Sequence, residues 1–154
     1  MAGRKIVYHC YGGTHSSVTA AAIHLGHLKP EKVPTEDELM ALTLFDRQTK
    51  EGHGQLHFFG FDEQGNEIYS VGCRNVGQAV GKVLGKIKEI IGAGEELIFV
   101  DTLHCVNIKM RFGGYISRRL GFINIGRPIV LKGTQEAYPK LVELVQGVKE
   151  GAVA

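Results

Sequence analysis

Residues 5–26, KIVYHCYGGTHSSVTAAAIHLG, decide the fold. The first five, KIVYH, are a β-branched and aromatic run that stops at Cys-Tyr-Gly-Gly, the pattern of a buried strand running into a tight turn. Ser16 or Ser17 can cap a helix that starts there. Residues 18–28 are alanine-rich and apolar on nearly every face, so the segment reads as a helix packed deep against a sheet, ended by Gly26 and Pro30. A buried strand, a glycine-rich turn and a buried helix in that order are the opening unit of an α/β domain.

Working outward, Thr35 and Glu38 form a capping box that opens a short helix to about residue 44. Residues 46–54 read as polar loop. Residues 55–61 and 67–73 flank the turn DEQGN, which predicts a β-hairpin. Val76, Val80, Val83, Leu84, Ile87, Ile90 and Ile91 recur at helical spacing, so residues 75–91 are the clearest amphipathic helix of the chain. Gly77, Gly81 and Gly85 add a stripe at every fourth position, read as close packing against a neighbouring backbone. Residues 96–101, ELIFVD, are a buried strand ending in a carboxylate. Residues 106–120 are predicted helical despite Gly113 and Gly114, residues 127–132 are predicted to be a last strand, and Thr134 is predicted to cap a final helix carrying Leu141, Val142, Leu144, Val145 and Val148 on one face. The order predicts a single α/β domain over residues 1–154, built as a three-layer sandwich. Its sheet is mostly parallel with one antiparallel hairpin, and helices cover both faces.

Composition bounds the partners. The 154 residues carry 18 Lys and Arg against 16 Asp and Glu, a net charge of +2 with no concentrated basic face in prospect, which argues against nucleic acid. No apolar run approaches the roughly 20 residues that cross a bilayer, and residues 1–5 lead into a strand rather than a signal-peptide core, so no membrane partner and a cytoplasmic location are expected. Cys10, Cys73 and Cys105 are an odd, widely spaced set that fits a reducing compartment. Oligomeric state is not legible.

The turn at residues 10–17, CYGGTHSS, is the candidate site. It delivers free backbone amides and the positive end of a helix dipole to one place, which suits an anion. Gly12 and Gly13 let the amides curl inward, Thr14, Ser16 and Ser17 add hydroxyl donors that can surround the anion, and His15 completes the loop. A thiol at Cys10 stands in the same field and is the candidate nucleophile. The strand at 96–101 is expected beside the first, which would bring Asp101 and His104 across the cleft as further candidate catalytic groups, with Asp101 able to hold magnesium. A rival use of the same region is zinc bound by Cys10, His15, His104 and Cys105, although no metal-ligand spacing is present. His53, in EGHGQ, can fold over the ligand as a lid. The reading is a phosphate-bearing small molecule, a nucleotide or phosphometabolite, bound at residues 10–17. Phosphoryl transfer or hydrolysis is one outcome, and a non-catalytic sensing or regulatory module the alternative.

The quoted stretch resembles the first strand, loop and helix of low-molecular-weight tyrosine phosphatases and of the phosphocysteine IIB components of sugar phosphotransferase systems. The resemblance implies that Cys10 takes the phosphoryl group and that Ser17 is the hydroxyl at the helix start. The phosphatases have an arginine immediately before that hydroxyl, where this chain has Ser16, and the chain has no Asp-Pro pair to match their general acid. Residues 12–19 more loosely resemble the loop of P-loop nucleotide-binding proteins, with Val18 in the place of the phosphate-binding lysine. A cation would then come from Lys132, Arg118 or Arg119. Over most of its length, marked by YHCYGGTHSSV and by Asp101-Thr102-Leu103-His104, the chain resembles a family of spore-forming Gram-positive bacteria known as a domain of unknown function.

Overall fold

The computed structural model describes residues 3–47, 50–91 and 96–152. Strands β1 (Lys5–Cys10), β2 (His57–Phe61), β3 (Glu67–Gly72) and β4 (Leu97–Asp101) form one sheet in the order β2-β3-β1-β4. β1 is parallel to both β3 and β4, and β2 closes the antiparallel hairpin with β3. The mostly parallel sheet with a single hairpin is the predicted one. β1 lies inside it with neighbours that the chain reaches in opposite directions, the kind of switch point outside which α/β sheets hold ligands.

Alternation along β1 separates two cores. Ile6 and Tyr8 join Ile68, Ile98 and Val100 on the face covered by α1 (Ser16–His24) and α5 (Ile123–Lys149), while Val7 joins Val71 and Cys73 on the face of α3 (Gly77–Ile91). Helices therefore stand on both sides. Every residue of α1 is buried, and Ala20, Ala21 and Ala22 have no exposed surface. Small side chains let that helix settle close to the strands. His24 is accommodated inside by a complete chain of partners: its Nε2–H donates to Asp62 Oδ2 at 3.0 Å, leaving Nδ1 to accept from the Tyr8 hydroxyl at 2.7 Å.

The Thr35 and Glu38 capping box opens α2 (Glu36–Met40), as read from the sequence. Residues 106–120 resolve into α4 (Ile108–Gly114) and one wide π turn, Tyr115–Arg119. Gly113 sits where a Cβ would lie 2.7 Å from the backbone of Val130, so the glycine is what lets α4 and α5 touch.

The last predicted strand is not a strand. Residues 127–132 belong to α5, and Thr134 lies inside that helix with its Oγ1 donating to Val130 O at 2.9 Å, so it does not cap. A short apolar run such as PIVL fits either element, and what decides is its continuation: Val130, Ala137, Leu141, Leu144 and Val148 keep helical spacing and are all buried. Of the glycine stripe on α3, Gly77 meets the His9 ring and Gly81 the Phe99 ring, but nothing lies within 4 Å of a Cβ at Gly85. Two of the three are closely packed, and against side-chain rings rather than the neighbouring backbone expected from the sequence.

Candidate functional site: an arginine-lined pocket at the loop after β1

Cys10 closes β1 opposite Gly72, and the loop after it is pressed onto β3. A Cβ at Gly72 would fall 2.6 Å from the Gly12 carbonyl carbon, so only glycine there lets the loop lie so low. Gly13 turns the chain with a φ of +68°, and its amide donates to Cys10 Sγ at 3.0 Å. Ser17 Oγ is 3.1 Å from the same sulfur. Among the described residues, the first-turn amides of α1, at Ser16, Ser17 and Val18, make no backbone hydrogen bond.

The hydroxyls are committed differently from the sequence expectation, in which they surround an anion. Thr14 Oγ1 donates to Leu44 O, Ser16 Oγ pairs with Thr102 Oγ1 at 2.8 Å, and Ser17 holds the thiol. They build the loop together with the Gly13 amide, and the first-turn amides of α1 are the backbone donors left without a backbone partner among the described residues.

Above the loop opens a pocket of about 560 Å³, a size ordinary for small-molecule sites. Cys10, Tyr11, Gly12, Thr14, His15 and Ser16 form one side. Arg74 and Asn75 follow β3, Leu103, Val106, Met110 and Arg111 follow β4, and Tyr115, Arg118 and Arg119 come from the wide turn. Among the described residues, four arginines line it and no carboxylate does. Arg119 lies over the Tyr115 ring, and His53 lines the pocket with its ring edge-on to Tyr11.

One buried carboxylate organises the wall. Asp46, with no side-chain exposure and a φ of +51°, receives His15 Nε2 at 3.0 Å, Ser117 Oγ at 2.9 Å and Arg127 Nε at 2.8 Å, with Arg118 Nε at 3.2 Å. Burial opposes its charge, but the hydrogen bonds from His15 and Arg127 prevail and hold its carboxyl at about 2. The sequence reading passed over Asp46 as polar loop, because its partners come from three distant segments. The basic wall did leave a signal: residues 102–135 contain Lys109, Arg111, Arg118, Arg119, Arg127 and Lys132 and no acidic residue.

The other predicted groups lie elsewhere. Asp101 does neighbour His9 across β1 and β4, but its Oδ1 accepts from Leu103 N at 2.8 Å, and neither it nor the exposed His104 lines the pocket. Among the described residues no three His, Cys, Asp or Glu side chains gather as a metal site. The proposed zinc set is divided: His15 faces Asp46, and Cys105 Sγ points to Lys140 O. Burial pushes the Cys105 thiol up to about 11, and burial with the nearby Cys10 raises that of Cys73. Cys10 is the thiol that lines the pocket. Lys132 is exposed on α5, away from it.

The family model described as "Protein of unknown function (DUF3189)" matches residues 5–150. The chain belongs to this family. No curated protein and no solved structure matches it. Nearly the whole DUF3189 fold, from β1 through α5, falls within the matched residues. Among the described residues no helix is long and apolar enough to cross a membrane.

Proposed function

We propose that this DUF3189 protein binds a phosphate-bearing small molecule, a nucleotide or phosphometabolite, in the pocket above residues 10–17. The observation that carries the reading is the lining: four arginines and no carboxylate among the described residues, in a chain whose charges otherwise nearly cancel. Concentrated positive charge with donors in fixed positions is what recognises a phosphate group. Arg111 and Arg119 form no ion pair among the described residues, and the amides that begin α1 add the partial charge of a helix end.

Any chemistry would centre on Cys10. As Sγ attacks phosphorus an S–P bond forms and the ester O–P bond breaks, the thiol's proton leaving with the ester oxygen; water then cleaves the S–P bond, its hydroxyl going to phosphorus as inorganic phosphate and its other proton restoring the thiol. That Asp101 and His104 lie outside the pocket favours the second reading, a ligand-sensing module that binds without turnover.

The test is thermal protection by inorganic phosphate and by nucleoside mono-, di- and triphosphates. At least one should raise Tm, and Arg111→Ala with Arg119→Ala, two exposed positions, should remove the rise while leaving the ligand-free Tm in place. No protection by any of them rejects the proposal. Released phosphate from the parent chain, absent in Cys10→Ser that still gains protection, separates the enzyme from the sensor.

A further inference from the structure

The pocket above residues 10–17 has more lining than an anion needs. A phosphate group alone would leave most of its roughly 560 Å³ unfilled, and the arginines make up only part of the wall. Leu103, Val106 and Met110 give the β4 side an apolar surface, and Tyr11 and Tyr115 stand in the pocket 48% and 49% exposed. Each of these rings is held beside an arginine. Tyr11 O accepts from Arg74 N at 2.8 Å, and the Arg119 guanidinium lies 5.8 Å from the centre of the Tyr115 ring.

The polar side chains of the loop are engaged within the protein: Thr14 with Leu44 O, Ser16 with Thr102, and His15 with Asp46. Hydroxyls of a sugar laid against Leu103, Val106 and Met110 would lose water and regain no hydrogen bond. A flat aromatic ring incurs no such loss there, and it stacks on tyrosine. Asn75, exposed between β3 and α3, carries a donor and an acceptor on one side chain, the pair that engages the edge of a base.

We propose, building on the phosphate reading above, that the ligand is a nucleotide: its phosphate meets the arginines and the first-turn amides of α1, and its base lies on the tyrosine rings with its edge toward Asn75. The pairing of ring with arginine fits this class, because in a nucleotide a single ribose separates the charge from the base. Stacking accepts every base, whereas the Asn75 amide selects among them.

Thermal protection titrated with the adenosine, guanosine, cytidine and uridine monophosphates, their free nucleosides, ribose 5-phosphate and inorganic phosphate tests it. At least one nucleotide should protect at a concentration about tenfold to a hundredfold below that required of ribose 5-phosphate, the gain from one stacked base. Tyr11→Leu with Tyr115→Leu, at two half-exposed positions, should erase that difference and leave the ligand-free Tm in place. Nucleotides no better than ribose 5-phosphate, or an advantage that survives the loss of both rings, overturns the proposal and leaves the phosphate reading standing. A nucleoside that protects as well as its nucleotide, or no protection by any of these probes, overturns both.

Discussion

Asp46 is the residue on which the pocket wall is hung. Its carboxyl sits near 2 instead of its ordinary 3.8. A carboxylate depressed in the folded state adds stability that is complete above the unfolded value and is lost as pH falls through the folded one, here roughly 2 kcal/mol. Asp46→Asn should therefore cost about 2 kcal/mol at pH 7 and almost nothing near pH 2, measured by urea unfolding across that range. A difference that stays constant with pH would show that packing, not charge, is what Asp46 supplies. The two loop glycines divide in the same way. Gly12 has only the Thr14 methyl at 3.5 Å from a Cβ, whereas Gly13 has a φ of +68° and donates to Cys10. Gly12→Val should keep Tm within a degree or two and lose ligand protection, and Gly13→Val should lower Tm even without ligand. The loop itself could be read from Gly12 and Gly13, since their flexibility is a local property. Asp46 could not, because its meaning resides in His15, Ser117 and Arg127, which only folding assembles.

At the level of elements, α3 offers a direct comparison. A methyl at Gly77 would collide with His9 Nδ1, while at Gly85 it meets nothing within 4 Å. Gly85→Ala should stabilise by about 0.5–1 kcal/mol through helix propensity and loss of unfolded-state freedom, and Gly77→Ala should destabilise, both by chemical denaturation. Equal effects at the two positions would mean that the stripe is not read against the sheet. Elements with an internal signal were legible: β1 from its β-branched run, α2 from Thr35 and Glu38, α3 from its period. The misreading at residues 127–132 has a definite cause. Pro128, Ile129, Val130 and Leu131 are too few to show a period, and Pro128 lies inside α5, where a proline argues against a helix. The placing of Asp101 and His104 at the site was inferred from the adjacency of β1 and β4, which is correct, but adjacency of strands does not set the direction of side chains at and beyond their ends.

For the molecule as a whole, two buried imidazoles make stability depend on pH well above the range of Asp46. Burial lowers both His9 and His24 from their ordinary 6.5, against the opposing pull of Asp101 and Asp62. The unfolded chain then binds more protons than the folded one below 6.5, so stability is full above that value and declines as pH falls from it toward the lowered folded values. Denaturant midpoints should drop between pH 6.5 and 5, and Tyr8→Phe should make the drop shallower, because neutral His24 loses its donor and its folded value rises back toward the unfolded one. A flat profile there would mean that both rings take up protons in place.

The crowding of Gly12 against Gly72 has a last consequence. The pocket floor inherits its shape from β3, whose hydrogen-bonded ladder exists before any ligand arrives. A molecule entering it need not freeze a wandering segment first, so the entropy charge that weakens binding to unformed loops is largely absent.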